Sequence, residues 1–333
     1  MTQPTPPNSS SHAPVQLTQA ATRSLSRRVL FAILVIYARA GLFGRDPWKN
    51  DDAAGFGVIW TMAHGDAIDW LQPNIVGRPE VSAGPLAYWP GAAMVELAGD
   101  LIGDANAARL AIGLLFGATC ALLWYSSYLL GRRAEVQPFA YVFGGHPDSR
   151  AYGRTLADGA LLVLLACAGL ALRIHETTPE ITQLALATLL LYGLIRSLDR
   201  PRQGAIWVGL ALGGLGLAGS LLLAIAIAGI WPLWMKLNAD DPAIHFHLLQ
   251  WLRHDRERFA LPTLASLSYL LRNLPLFAWP AWPLALWSWL SWRGMRRYPH
   301  LAIASGLAAV TIIQILLQRV GSDSLFVLML PPL

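Results

Sequence analysis

The chain has 333 residues, 55% of them hydrophobic and 14% charged, with a formal net charge of +5. Soluble domains carry about a quarter charged residues, so this composition indicates a membrane protein, and the lack of a basic stretch with interleaved aromatic residues argues against nucleic-acid binding. The two cysteines, Cys120 and Cys167, lie inside apolar runs without metal-ligand or C-x-x-C spacing, which excludes a redox motif or a zinc finger.

Residues 1–22 are polar and rich in proline and serine, which predicts a disordered N-terminal tail. The segment that follows has a basic flank, a short apolar core and an Ala-x-Ala ending, as a signal peptide does. We favour an uncleaved first transmembrane helix, because a long polar leader precedes it and Arg39 sits within the supposed cleavage motif. The arginines before the apolar core then place the N-terminus in the cytoplasm.

Further apolar runs continue to the end of the chain, and they predict an all-α, polytopic helix bundle over residues 23–333. A span needs about 20 apolar residues, so several of the runs are short. The sequence ends inside the run LFVLMLPPL, and we therefore expect the domain to be truncated at its C-terminus. The runs cover residues 86–103, 108–130, 158–173, 181–196, 204–236, 262–292, 300–318 and the stretch from 325.

Most of the chemistry-bearing residues lie in the first loop, 44–85, which follows the first helix. Apolar residues recur at helical spacing over 52–63, which predicts an amphipathic helix on the membrane surface. The neighbouring carboxylates of Asp51 and Asp52 point about 100° apart on a helix, so both cannot face one atom. We expect Asp52 to cap the helix while Asp51 meets a substrate or metal, although a double cap fits the spacing equally well.

The first loop also carries a longer pattern that ends at the start of the second apolar run. An acidic pair and a predicted helix are followed by spaced Gly, Trp and Pro residues and then by PLAYW. In order and spacing this resembles the first extracytoplasmic loop of GT-C-type membrane glycosyltransferases, such as protein O-mannosyltransferases and lipid A aminoarabinose transferases. The matching residues are Asp51, Asp52, Gly65, Trp70, Pro73, Gly77, Pro79, Pro85, Leu86, Tyr88 and Trp89.

The resemblance implies a glycosyltransferase of the bacterial inner membrane that moves a sugar from a polyprenyl-phosphate donor to an acceptor at the outer face, with inversion. The acceptor is a lipid, a glycan or a protein. In this interpretation Asp51 is the base and Asp52 its helper. The segment SRAYGRTLADGALL (149–162) resembles the family's second acidic segment, which implies that Asp158 joins the site with Arg154 one helical turn away.

Departures from the family pattern affect the expected charges of the site. Ser82-Ala83 and Gly219-Ser220 stand where many members carry Glu-Lys and Lys-Gly. Metal use therefore stays open, with a divalent metal as one alternative. Lys49, Arg78 and Arg154 are candidate phosphate partners by charge alone, and Tyr88 and Trp89 are expected to line the substrate site.

Three further expectations follow from the remaining segments. The basic run 243–258, with His245 and His247, is expected to contact membrane lipid head groups rather than a metal. Glu176 or Thr177 is expected to cap a helix rather than to take part in catalysis. Counting 86–103 and 108–130 as two spans, as the resemblance requires, places Arg132 and Arg133 outside, against the positive-inside rule.

Two other functions compete with the transferase. A non-catalytic relative that binds a polyprenyl lipid would fit the missing Glu-Lys and Lys-Gly pairs. A secondary transporter would show inverted repeats and broken helices in matching halves, and neither pattern is visible in the sequence.

Overall fold

Helices make up nearly all the regular structure of the residues that the structure describes. The structure is a computed structural model that describes residues 25–44, 46–47, 49–80, 83–137, 148–219, 262–317 and 324–333. The predicted tail 1–22, the basic run 243–258 and the residues Ser82 and Ser220 lie outside these ranges.

The described residues form twelve α-helices and one short β-hairpin. The helices are α1 (Arg27–Arg39), α2 (Asn50–His64), α3 (Trp89–Ile102), α4 (Asp104–Gly131), α5 (Ser149–Ala166), α6 (Ala168–Arg173), α7 (Pro179–Asp199), α8 (Pro201–Leu217), α9 (Leu264–Phe277), α10 (Ala281–Ser291), α11 (Pro299–Leu316) and α12 (Ser324–Met329). Strands β1 (Asn74–Ile75) and β2 (Arg78–Pro79) pair antiparallel within the first loop.

Within the described ranges, three helices are long and apolar enough to cross a membrane: α4, α7 and α11. This confirms the predicted all-helical membrane fold. The predicted surface helix over 52–63 is also confirmed as a helix, because α2 covers it with two further residues at its start and one at its end.

The central helices pack through small side chains as well as large ones. Ala107, Ala108 and Ala111 of α4 are fully or almost fully buried and let neighbouring helices approach closely, while Phe116 and Leu123 fill the core beyond them. In a membrane, lipid is as apolar as these side chains, so close packing rather than escape from water holds the helices together.

Two groups of contacts define the two ends of the bundle. At the end that we call the far side, the backbone N–H of Leu25, just before α1, donates to Asp158 of α5 at 3.1 Å. Arg133, just after α4, pairs there with Asp199 at the end of α7 at 3.3 Å. At the other end, which we call the loop side, the carbonyl of Tyr37 near the end of α1 lies 3.2 Å from His175 Nε2.

Helix α3 begins and ends on the loop side. At its start, the Trp89 indole N–H donates to the carbonyl of Trp70 in the first loop at 2.6 Å. At its end, Gly103 alone separates α3 from α4, and Asp104 at the start of α4 lies 3.6 Å from His64 at the end of α2. The run 86–103 is therefore not a span, which corrects the two-span count.

This correction removes the conflict with the charge distribution. With α3 on the loop side, α4 is the one crossing between the first loop and Arg132. Arg132 and Arg133 then lie on the far side, together with Leu25 and the Arg-rich segment 196–202. The apolar composition of α3 misled the count because a surface helix that packs on other helices is as apolar as a short span.

The placement of α3 can be tested by cysteine accessibility. Gln72 in the first loop and Gln203 at the start of α8 are both exposed and lie on opposite sides. We expect a membrane-impermeant maleimide to label Gln72→Cys and Gln203→Cys from opposite sides of sealed vesicles, while the buried Cys120 and Cys167 stay unlabelled. Labelling of both variants from the same side would contradict the fold described here.

Candidate active site

The site is built on Asp52, a carboxylate that is wholly buried at the start of α2. Its Oδ1 accepts from the backbone N–H and the hydroxyl of Thr177, each at 2.7 Å. Its Oδ2 lies 3.4 Å from Nη2 of Arg109, which is also wholly buried on α4. One carboxylate thus joins α2, α4 and the turn before α7.

Close backbone contact supports this junction. A Cβ on Gly55, one turn after Asp52, would overlap the carbonyl oxygen of Thr177, so only glycine allows α2 to lie this close to the turn. The prediction that Asp52 caps α2 is wrong. Lys49 holds the N-cap position of α2 without a side-chain hydrogen bond, and Asp52 lies inside the first turn. Asp52 instead binds the turn before α7, because the N–H and hydroxyl of Thr177 donate to its carboxylate.

Asp51 points the other way, as the helical spacing predicts. Its side chain is 68% exposed, and its Oδ2 accepts from Nη1 of Arg173, the last residue of α6, at 3.1 Å. The two neighbouring aspartates therefore have different tasks. Asp52 fixes the helix, and Asp51 presents a carboxylate on the loop side.

Glu176 is the carboxylate that sequence reasoning did not select for the site. Its side chain is only 1% exposed, its Oε2 lies 3.2 Å from Nη1 of Arg173, and its Oε1 forms a close ion pair with the Lys49 ammonium group. The prediction that Glu176 or Thr177 caps a helix is also wrong, since Thr178 holds the N-cap position of α7 without a side-chain hydrogen bond. The local sequence signal for Glu176 was its i,i+3 spacing from Arg173.

Charges of opposite sign alternate through this cluster, from Asp51 through Arg173 and Glu176 to Lys49. Burial acts to lower the pKa of Arg173, but the hydrogen bond to Asp51 and the charge of Glu176 outweigh it and raise that pKa. The guanidinium is therefore a permanent cation beside the exposed carboxylate. We call these four residues the charge cluster.

Two predicted site residues lie at the other end of the bundle. Asp158 accepts from the N–H of Leu25 at 3.1 Å and from the indole N–H of Trp124 at 2.8 Å, both on the far side. Arg154 lies one turn earlier on the same helix. The structure does not bring either residue to Asp51, because the length of α1 separates Leu25 from the loop side, and the expected shared site is corrected accordingly.

The other predicted residues divide between the loop surface and the core. Lys49 belongs to the charge cluster. Arg78 is exposed on the β-hairpin, while Tyr88 is buried in the apolar core beneath α2 and α3. The indole N–H of Trp89 donates a hydrogen bond to the carbonyl of Trp70. Tyr88 thus packs inside the loop, and Trp89 is half-buried at its edge.

No three His, Cys, Asp or Glu side chains come together as metal ligands in the part of the chain that the structure describes. Each carboxylate of the charge cluster has a cationic side chain as its partner. The cluster therefore has the composition of an ion-pair network, in which anions and cations offset each other.

Comparison with known proteins gives matches among solved structures. Two crystal structures of ArnT from Cupriavidus metallidurans match, one bound to undecaprenyl phosphate with a TM-score of 0.64 and one in the apo state with a TM-score of 0.56. Both are 17% identical and cover 92% of this chain, which spans 58% and 57% of the ArnT chains. No protein-family model matches the chain, and no curated protein matches it.

At this level of identity the comparison shows a shared fold. The chain is an integral membrane protein with an ArnT-like helical bundle, as the resemblance of its first loop implied. The shorter span means that the activity of the whole ArnT protein does not transfer with the fold.

The two neighbouring aspartates form a matched pair for a stability test. Asp52→Asn removes the charge that faces the buried Arg109, and removing one partner of a buried ion pair costs about 3–5 kcal/mol. Asp51→Asn removes a pair whose carboxylate is mostly exposed, and such a pair is worth about 1 kcal/mol or less. We expect Asp52→Asn to lower the thermal unfolding midpoint in detergent by several degrees and Asp51→Asn to change it little. Equal midpoints would contradict the structural role of Asp52.

Proposed function

We propose that the chain is a membrane glycosyltransferase that moves a sugar from a polyprenyl-phosphate donor to an acceptor at the outer face of the membrane, with Asp51 as the base. The observation that carries the proposal is the exposed carboxylate of Asp51, which follows from the buried junction at Asp52 and is paired with Arg173 on the loop side. The fold supports it, since an ArnT structure of the same architecture is bound to undecaprenyl phosphate.

The proposed reaction assigns one task to each charged group. Asp51 accepts the proton of the acceptor hydroxyl while its oxygen attacks the anomeric carbon of the sugar. The bond from that carbon to the phosphate oxygen breaks, and its electron pair leaves with the polyprenyl phosphate. Attack opposite the leaving group inverts the anomeric carbon. Arg173 and Lys49 are assigned the stabilisation of the charge that develops on the departing phosphate, because they are the cations of the charge cluster.

The charge distribution supports the proposed orientation. The far side gathers the N-terminal end of α1, the arginines after α4 and the Arg-rich segment 196–202. Positive charge favours the cytoplasmic side of short loops. The N-terminus is then cytoplasmic, and the loop side with Asp51 faces outward, where a polyprenyl-linked donor meets acceptors of the cell envelope.

A second candidate function is a non-catalytic protein that binds a polyprenyl lipid. The observation in its favour is the contact of Ala83 and Gly84 with Gly219: a Cβ on Gly219 would lie 2.5 Å from the N atom of Gly84. Backbone therefore fills the place where the resemblance expects charged side chains from both segments. The transferase is preferred because the charge cluster supplies cations instead: Arg173 pairs with Asp51, and Lys49 pairs with Glu176, the other partner of Arg173.

Sugar transfer by Asp51→Asn distinguishes the two functions. We expect purified full-length protein to transfer a labelled sugar from a polyprenyl-phosphate donor, and Asp51→Asn to lose about 10²-fold or more of the rate, since general base catalysis contributes at least that much. Asp66→Asn removes an exposed carboxylate from the same loop and should keep the wild-type rate. Transfer by Asp51→Asn at the wild-type rate would contradict the assignment, and no transfer by the wild type would favour the non-catalytic function.

A further inference from the structure

We propose that the donor phosphate takes the place of Asp51 on Arg173 and so releases the base, which makes donor binding the step that readies the site. This inference rests on the proposed function and concerns the regulation of the same site. It starts from the fact that one nitrogen atom, Nη1 of Arg173, serves both Asp51 at 3.1 Å and Glu176 at 3.2 Å.

The carboxylate of Asp51 is paired with the guanidinium of Arg173. A general base must reach the proton that it accepts, and an oxygen that is bonded to a guanidinium is turned toward that cation and away from an incoming hydroxyl. Lys49 is likewise paired with Glu176. Both cations that the proposed reaction assigns to the leaving phosphate are therefore paired with carboxylates in this structure.

Burial decides which of these pairs gives way. The side chain of Asp51 is 68% exposed, so water can solvate its carboxylate when Arg173 moves to another anion. The side chain of Glu176 is 1% exposed, so a loss of its cations would leave a buried charge without compensation. An incoming anion therefore displaces Asp51 and leaves Glu176 in place.

A phosphate group is well suited to this exchange. Its oxygens match the planar fork of a guanidinium, which a single carboxylate oxygen at 3.1 Å uses only in part. The arriving negative charge also repels the neighbouring Asp51 carboxylate. The same event thus places the phosphate on Arg173 and turns Asp51 toward the space where an acceptor would bind.

Phosphate binding by the Asp51→Asn variant tests the exchange. Removing the competing carboxylate should tighten binding of undecaprenyl phosphate to the full-length protein in nanodiscs by about two- to fivefold, the range expected for loss of one exposed ion pair. Asp66→Asn removes the same charge from the same loop without touching Arg173 and should leave the affinity unchanged. A gain of equal size for Asp66→Asn, or no gain for Asp51→Asn, would overturn the exchange.

The dependence on Arg173 is tested in a double variant. The gain from Asp51→Asn should disappear in the Arg173→Gln background, and Arg173→Lys, which keeps the charge and loses the fork, should retain part of it. A full gain in the absence of the arginine would overturn the proposal. If the Arg173→Gln protein does not fold because Glu176 is buried beside it, the Arg173→Lys protein provides the test, through the smaller gain in affinity expected from Asp51→Asn.

Three probes identify the group that is bound. Undecaprenol has the same tail without a phosphate, and a gain with it would contradict the exchange. The same gain with inorganic phosphate supports the phosphoryl group as the whole ligand, and a gain confined to undecaprenyl phosphate supports the lipid phosphate. These binding results do not depend on sugar transfer by the wild type. Absence of that transfer would instead count against the proposed function.

Discussion

The buried carboxylate of Asp52 is the contact on which the geometry of the loop side depends. It receives two bonds from Thr177 and faces Arg109, so it joins the start of α2 to α4 and to the turn before α7. Interior charges interact strongly with each other, and they are costly to separate because the surrounding protein solvates them poorly. This junction therefore sets the direction in which the first turn of α2 presents the preceding side chain, Asp51.

The position of Asp51 follows from that constraint. Once Asp52 is turned inward, helical geometry directs its neighbour outward, to the end of α6 where Arg173 lies. The turn that supplies Thr177 also carries Glu176, which holds Arg173 and Lys49. The structural junction and the charge cluster thus share one short segment, so a change in that segment would affect both stability and chemistry.

Much of the fold could be predicted from the sequence, and less of the site. Composition indicated a helical membrane protein, and the apolar spacing over 52–63 predicted α2 with the divergence of its two aspartates. The spacing of Arg154 and Asp158 identified a shared helix face, but it could not show which end of the bundle the pair occupies. Glu176 was missed because its partner Lys49 lies 127 residues away along the chain, and no local pattern records such a contact.

The proposed position of the phosphate at Arg173 is tested by a structure of the full-length protein with undecaprenyl phosphate, because it locates the phosphate with respect to the two ends of the bundle. We expect a phosphate group within hydrogen-bond distance of Arg173 on the loop side, with the Asp51 carboxylate turned away from the guanidinium. A phosphate bound on the far side, beside Arg154 and Asp158, would contradict it.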